Sequence, residues 1–165
     1  MKKKLLLLLL LVANTALSAF AINKKPFTIP EVKQWKGAEG ELALSGRIVC
    51  NGAEERQVAQ QLADDYRLMF GTTLSVSQGK AKKGDIVLSL KGAKTLGEEG
   101  YTMTITGQVN IAAANRKGLY WGTRTLLQLA EQNEKHALPC GFISDMPDYP
   151  FRGFMLDCGR KFFSM

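Results

Sequence analysis

The stretch Tyr101-Thr102-Met103-Thr104-Ile105-Thr106-Gly107-Gln108-Val109-Asn110-Ile111-Ala112-Ala113-Ala114 reads as a β-hairpin. Tyr101, Met103 and Ile105 fall on one face of a strand and three threonines on the other, the period of two of a half-buried strand. Gly107-Gln108 fits a two-residue turn with glycine first, and the chain returns from Val109 to about residue 114. Such a sheet has one apolar face and one partly hydrated face.

Downstream of the hairpin, a helix is predicted from near Asn115 to about Ala130. Leu119, Thr123, Leu126, Leu127 and Ala130 share one face. Gly118 and Gly122 lie one turn apart on the neighbouring stripe. Glycine inside a helix costs about 1 kcal/mol against alanine, so the pair predicts close approach of helix to sheet. A polar turn over 131–137 leads to a last strand over 138–143.

Upstream, residues 41–51 read as one or two strands, and 74–77 and 85–90 as two more. Between them lies a helix with Asn51 as its cap and Glu54 as the reciprocal partner. Its apolar face is Val58, Ala59, Leu62, Tyr66, Met69 and Phe70, and Gly71 ends it. Residues 26–30 are bounded by prolines and extended. The order predicts an α/β fold: a mixed β-sheet with two helices on one face.

The N-terminus has another character. Met1-Lys2-Lys3-Lys4 is basic, Leu5 to Ala13 is an uncharged apolar run, and Ala19-Phe20-Ala21 places small residues at −3 and −1 of a cleavage site. This is the pattern of a secretory signal peptide over residues 1–21. A membrane-spanning helix needs about 20 apolar residues, and Asn14 and Thr15 interrupt this run first. The protein is expected to be exported, to the periplasm or beyond the cell, with no stable membrane anchor once the leader is removed. Of 22 basic residues three lie in the leader, so 19 remain against 15 acidic ones, a charge of +4 in place of +7. Lys80, Lys82 and Lys83 are the densest basic cluster and no aromatic residue interleaves with them, so no nucleic-acid partner is expected. Cys50, Cys140 and Cys158 are an odd number, which leaves at least one free thiol. His136 is the single histidine and there is no cysteine pair at ligand spacing, so no metal or cofactor is expected.

Residues 145–150, with Pro147 and Pro150, read as a linker. Phe151-Arg152-Gly153-Phe154-Met155-Leu156-Asp157-Cys158-Gly159-Arg160-Lys161-Phe162-Phe163 follows, with a short apolar run suited to a buried parallel strand. Here the sequence resembles the family 20 glycoside hydrolases, the β-N-acetylhexosaminidases. Three pieces carry the likeness in order: Glu99-Gly100-Tyr101-Thr102-Met103-Thr104-Ile105, then Gly118-Leu119-Tyr120-Trp121-Gly122-Thr123-Arg124-Thr125-Leu126-Leu127-Gln128-Leu129, then the block from Pro150 to Phe163. The third is the most specific. The resemblance implies an N-terminal α/β accessory domain over residues 22–145. It also implies a linker and the first strand of a truncated TIM barrel over 146–165, with the strand from Gly153 to Cys158.

Active sites of such barrels lie at the C-terminal ends of the strands. By that rule the resemblance makes Arg160 the substrate-binding residue, donating to hydroxyls of the terminal sugar, and leaves Arg152 to brace the linker or the domain interface. Lys161 departs from the histidine often found at its position. The family's reaction uses an adjacent Asp-Glu pair acting with the substrate's own 2-acetamido group, a retaining route outside the usual two-carboxylate scheme. That pair belongs to a later part of the barrel, so no catalytic residue is expected in this chain. Asp64-Asp65, Glu98-Glu99 and Glu54-Glu55 are expected to be solvated charges or a helix start.

The implied function is that of a parent exo-acting β-N-acetylhexosaminidase, cutting terminal N-acetylglucosamine or N-acetylgalactosamine from glycans, with the chain itself inactive. The alternative is a non-catalytic carbohydrate-binding or interaction module. It needs an exposed aromatic platform, for which Trp35, Tyr120 and Trp121 are the candidates.

Overall fold

In chain order the elements are β1 (Gln34–Leu42), β2 (Arg47–Val49), α1 (Ala53–Phe70), β3 (Ser75–Ser77), β4 (Ile86–Ser89), a 3-10 turn (Lys94–Leu96), β5 (Tyr101–Ile105), β6 (Val109–Ala113), α2 (Arg116–Glu131) and β7 (Leu138–Asp145). The computed structural model describes residues 21–92, 94–155 and 159; residues 1–20 of the predicted leader lie outside them.

The strands form one sheet in the order β1-β7-β5-β6-β4-β2-β3. The half from β1 to β6 pairs antiparallel and the half from β6 to β3 pairs parallel. β6 is the strand at which direction switches, and it lies in the hairpin read first from the sequence. Tyr101, Met103, Ile105, Val109, Ile111 and Ala113 all turn inward and are buried. They join Ile48, Ile86, Leu88, Leu62, Leu119 and Leu126 in one core cluster, so both helices cover the same face. Thr102, Thr104, Asn110 and Ala112, on the opposite face, are only partly covered. The predicted architecture, a mixed sheet with two helices on one face, is the one formed.

The two glycines of α2 do what their cost implies. A Cβ on Gly118 would fall 2.2 Å from the carbonyl oxygen of Gly100, and one on Gly122 would fall 2.5 Å from Cγ2 of Ile111. Asn115 caps the helix, its side chain accepting from the Lys117 N–H at 3.1 Å. α1 ends at Gly71 in the left-handed conformation, φ 68°, with its N–H donating to the Arg67 carbonyl.

Several local details differ from the sequence reading. The N-cap of α1 is Gly52, not Asn51, and it makes no side-chain cap bond. Asn51 sits one residue too early and instead accepts from the Gly79 N–H. Glu55, not Glu54, reaches across to accept from the Leu90 N–H at 3.3 Å. Met69 is 45% exposed, and Phe70 closes that end of the core by packing on Tyr66 and His136. In the hairpin Ile105 pairs with Val109, so the loop has three residues rather than two, with Thr106 N–H donating to the Gln108 carbonyl. Residues 151–155 form no strand and are exposed; the remaining positions of the expected barrel strand, 156–158, lie outside the described residues. Cys50 and Cys140 are buried free thiols, each with its pKa raised by that burial, and Cys158 lies outside the described residues.

One ionic cluster anchors the parallel half of the sheet. Asp85, 1% exposed at the head of β4, accepts from Ser45 Oγ at 2.7 Å, from Arg47 Nε at 3.1 Å and from the Lys82 N–H at 2.6 Å. The Arg47 guanidinium, first among these partners, holds the Asp85 carboxyl at about 2 against its ordinary 3.8. A folded pKa depressed in this way stabilises the native state fully above about pH 4. That stability is lost as the pH falls from there through about 2. Replacing Asp85 by Asn weakens the charge-assisted bonds it accepts from Ser45 and the Lys82 N–H and is expected to lower stability by about 2 kcal/mol at pH 7, read by urea unfolding. The deficit should shrink as wild type and variant are both titrated toward pH 2.

Candidate functional site

The outward face of the helix layer is built by the same periodicity that builds the core. With 3.6 residues per turn, burying Leu119, Leu126 and Ala130 of α2 sends Lys117, Tyr120, Trp121 and Arg124 outward or to the seam with α1. Across that seam α1 supplies Gln57, Gln61 and Asp65. Arg124 Nη1 pairs with Asp65 at 2.6 Å, and its guanidinium lies 4.6 Å from the centre of the Tyr120 ring. Arg116 donates to Gln57 Oε1 at 2.7 Å. Tyr120 and Trp121 meet edge to face at 5.2 Å. Gln57, Gln61, Arg116, Lys117, Tyr120 and Trp121, together with Val58 and Glu99, surround a groove of about 450 Å³.

The linker reaches this groove. Arg152 donates to the carboxylate of Glu99, which lines the groove, and to the Tyr149 carbonyl at 2.6 Å. Arg152 therefore braces the linker, as its place ahead of the apolar run implied. The linker's root is held from inside. Tyr101 Oη meets Thr125 Oγ1 at 2.6 Å and Asp145 Oδ2 at 3.4 Å, while Asp145 Oδ1 accepts from the Lys33 N–H. Burial, with the Asp145 charge adding to it, raises the Tyr101 phenol well above its ordinary value, so Tyr101 stays protonated and acts as a donor.

Among the described residues, the paired carboxylates are engaged in contacts that hold the fold together. In each of the three carboxylate pairs one member is committed across the fold: Asp65 to Arg124, Glu55 to the Leu90 N–H, and Glu99 to Arg152. Glu98 pairs with Lys117 at 3.0 Å. Glu54, Asp64 and Glu98 are exposed, as expected of solvated charges, whereas Glu55, Asp65 and Glu99 are partly covered and engaged across the fold. Of the three aromatic candidates, only Trp121 is well exposed, at 42%. Trp35 packs on the core, donates its Nε1–H to the Asn23 carbonyl at 3.1 Å and covers Gly141. Arg160, together with Asp157 and Lys161, lies outside the described residues. The groove joins Gln57 and Gln61 to Glu99 and Trp121, a grouping that no local pattern marked, because the two helices are far apart in sequence.

Comparison with known proteins agrees with this picture. The sequence model for glycosyl hydrolase family 20, domain 2, matches residues 25–146. A β-hexosaminidase of Porphyromonas gingivalis is 34% identical over 128 residues, 71% of this chain and 16% of that protein. One from Akkermansia muciniphila is 39% identical over 79 residues, 46% of this chain and 16% of that protein. The chain thus spans 16% of the length of these curated relatives. Among solved structures, the family 20 β-N-acetylhexosaminidase of Streptomyces coelicolor superposes with a TM-score of 0.69 at 31% identity, covering 82% of this chain and 29% of that one. A mutant β-hexosaminidase of Streptomyces plicatus in complex with its product GlcNAc gives 0.70 at 28% identity, covering 87% of this chain and 30% of that one.

Replacing Tyr101 by Phe removes the bond that joins β5, α2 and the root of the linker. It is expected to cost about 1–2 kcal/mol in urea unfolding with the m-value unchanged.

Proposed function

The chain belongs to glycosyl hydrolase family 20, whose domain 2 it carries over residues 25–146, and from that premise we propose that it is the N-terminal part of an exo-acting β-N-acetylhexosaminidase. Residues 1–21 are its secretory leader, and the mature protein works in the periplasm or outside the cell. Residues 22–145 are the accessory domain, and 146–165 are the linker and first strand of the catalytic barrel. The substrates are glycans ending in β-linked N-acetylglucosamine or N-acetylgalactosamine, and the reaction retains configuration through attack by the substrate's 2-acetamido group. The observation that carries this reading is the domain match running directly into the Phe151–Phe163 block with its two arginines eight residues apart. The product-bound Streptomyces plicatus structure supports the sugar class.

Within this scheme the accessory domain holds no acid or nucleophile of the reaction. Arg160 is the chain's contribution to the sugar site: a planar, permanently charged fork that donates to two neighbouring hydroxyls. In a chain that carries the whole barrel, Arg160→Lys keeps the charge and loses the fork. It should lower kcat/KM by roughly tenfold to a hundredfold, the worth of one charge-assisted hydrogen bond of about 1.5–3 kcal/mol. The 165-residue chain alone should release no 4-nitrophenol from 4-nitrophenyl N-acetyl-β-glucosaminide, since one strand cannot close a barrel. Hydrolysis above the buffer blank by the pure chain would sink this reading.

Trp121 is the one observation favouring a second reading, a non-catalytic carbohydrate-binding module, since its ring is open to solvent. Calorimetry with chitooligosaccharides separates the two: heat of binding from this chain that Trp121→Ala abolishes would favour the module.

A further inference from the structure

Asn51-Gly52 joins the end of β2 to the start of α1. Asn23, Asn51, Asn110, Asn115 and Asn133 are the asparagines among the described residues; Asn51 alone is exposed and alone precedes a glycine. Its carboxamide oxygen faces the Gly79 N–H at 3.5 Å, a bond too long to hold it still but able to draw charge from Cγ. The Gly52 N–H stands ahead of the helical ladder, which opens with the Arg56 N–H donating to the Gly52 carbonyl, and among the described residues it donates to none. Glu55 closes over this point. A Cβ on Gly52 would fall 1.9 Å from Glu55 Oε2, so the carboxylate lies against the Gly52 backbone, and its other oxygen is held by the Leu90 N–H at 3.3 Å. The packing of Glu55 therefore requires the glycine. A cleft of about 550 Å³, lined by Asn51, Gly52, Arg56 and Gln78 among others, leaves the place open to water.

We propose that Asn51-Gly52 is a self-modifying site, at which the folded chain converts asparagine to aspartate and isoaspartate with Glu55 as the proton acceptor. The Gly52 nitrogen attacks Cγ of Asn51; a new C–N bond forms and the carboxamide C–N bond breaks. Glu55 takes the proton from the Gly52 nitrogen and passes it to the departing nitrogen, which leaves as ammonia. Water then opens the cyclic imide. Opening at the side-chain carbonyl gives aspartate, and opening at the main-chain carbonyl gives isoaspartate. The balance is one water in and one ammonia out, with no change of oxidation state. A Cβ at position 52 would crowd the attacking nitrogen, so glycine serves the chemistry as well as the packing. The two products meet the fold differently. Aspartate adds a negative charge ahead of α1, where the helix dipole favours it. Isoaspartate inserts a methylene into the main chain between two ties, the Cys50 N–H to the Ser77 carbonyl at 3.1 Å and Glu55 to the Leu90 N–H, and strains them. None of this depends on the proposed function.

Ageing the 165-residue chain in warm neutral buffer, followed by peptide mapping with mass spectrometry, tests the site. Asn51 should be converted at least about tenfold faster than Asn115 or Asn133, whose following residues carry a Cβ. Conversion at the same rate as those two would overturn the proposal. Glu55→Gln keeps an acceptor for the Leu90 N–H but takes up no proton, and it should slow the conversion of Asn51 by about tenfold or more. An unchanged rate in this variant, with its urea transition at the wild-type midpoint, would remove Glu55 from the reaction. The wild-type chain unfolded in guanidinium chloride releases Glu55 and should convert Asn51 more slowly than the folded chain; equal or faster conversion there would also count against Glu55. Asn51→Asp should unfold in urea at or above the wild-type midpoint, and the isoaspartate fraction, separated by chromatography, below it. The opposite order would overturn the account of the two products.

Discussion

The fold depends on how closely α2 lies on the β5–β6 hairpin. Two glycines allow it, and no larger residue could replace Gly118 without moving the Gly100 carbonyl. That contact fixes the height of the helix layer above the sheet. It brings Thr125 within hydrogen-bonding reach of the buried Tyr101 hydroxyl, and it turns Tyr120, Trp121 and Arg124 toward α1 and solvent. β6 in turn decides the topology, since it pairs antiparallel with β5 and parallel with β4. The antiparallel half can be made from hairpins and short returns, whereas the parallel half needs a crossover, which α1 supplies between β2 and β3.

Charge is used here mainly to hold backbone segments in place. Asp85 ties the start of β4 to Ser45, Arg47 and the loop before it, while Arg124 ties α2 to Asp65 of α1. Arg152 ties the linker to Glu99. The Asp85 carboxylate, committed to the Arg47 guanidinium, is stabilised as the anion. Among the described residues these carboxylates serve as ties between segments of the fold.

Much of this architecture was legible from local pattern. Alternation in Tyr101–Ile105, the apolar stripe of α2 and the placement of Gly118 and Gly122 each reflect a single element facing a single environment, and each held. The misreadings fell where two neighbouring residues compete for one role. Asn51 and Gly52 both suit an N-cap, and Glu54 and Glu55 both suit the first turn; the register of α1 against β4 chose between them. The hairpin loop took three residues because Val109 N–H donates sideways to the Asp85 carbonyl of the parallel neighbour, a partner outside the hairpin. Of the site, the sequence marked Arg152 and Trp121 singly, but neither the groove that Trp121 lines nor the pairing of Arg152 with Glu99 at its wall.

Sequence alone determined both helices, the central hairpin, the one-sided burial of the sheet and the family, because periodicity and short motifs depend only on neighbours along the chain, but it missed most of β1, whose alternation is broken by glycines and charges and whose place comes from pairing with β7. Tertiary structure decided the strand order, the partner of every committed carboxylate, and the meeting of Glu99 with Arg152 beside Trp121. Those contacts join residues tens of positions apart, and their energies exist only once the sheet has closed and the helices have settled on it.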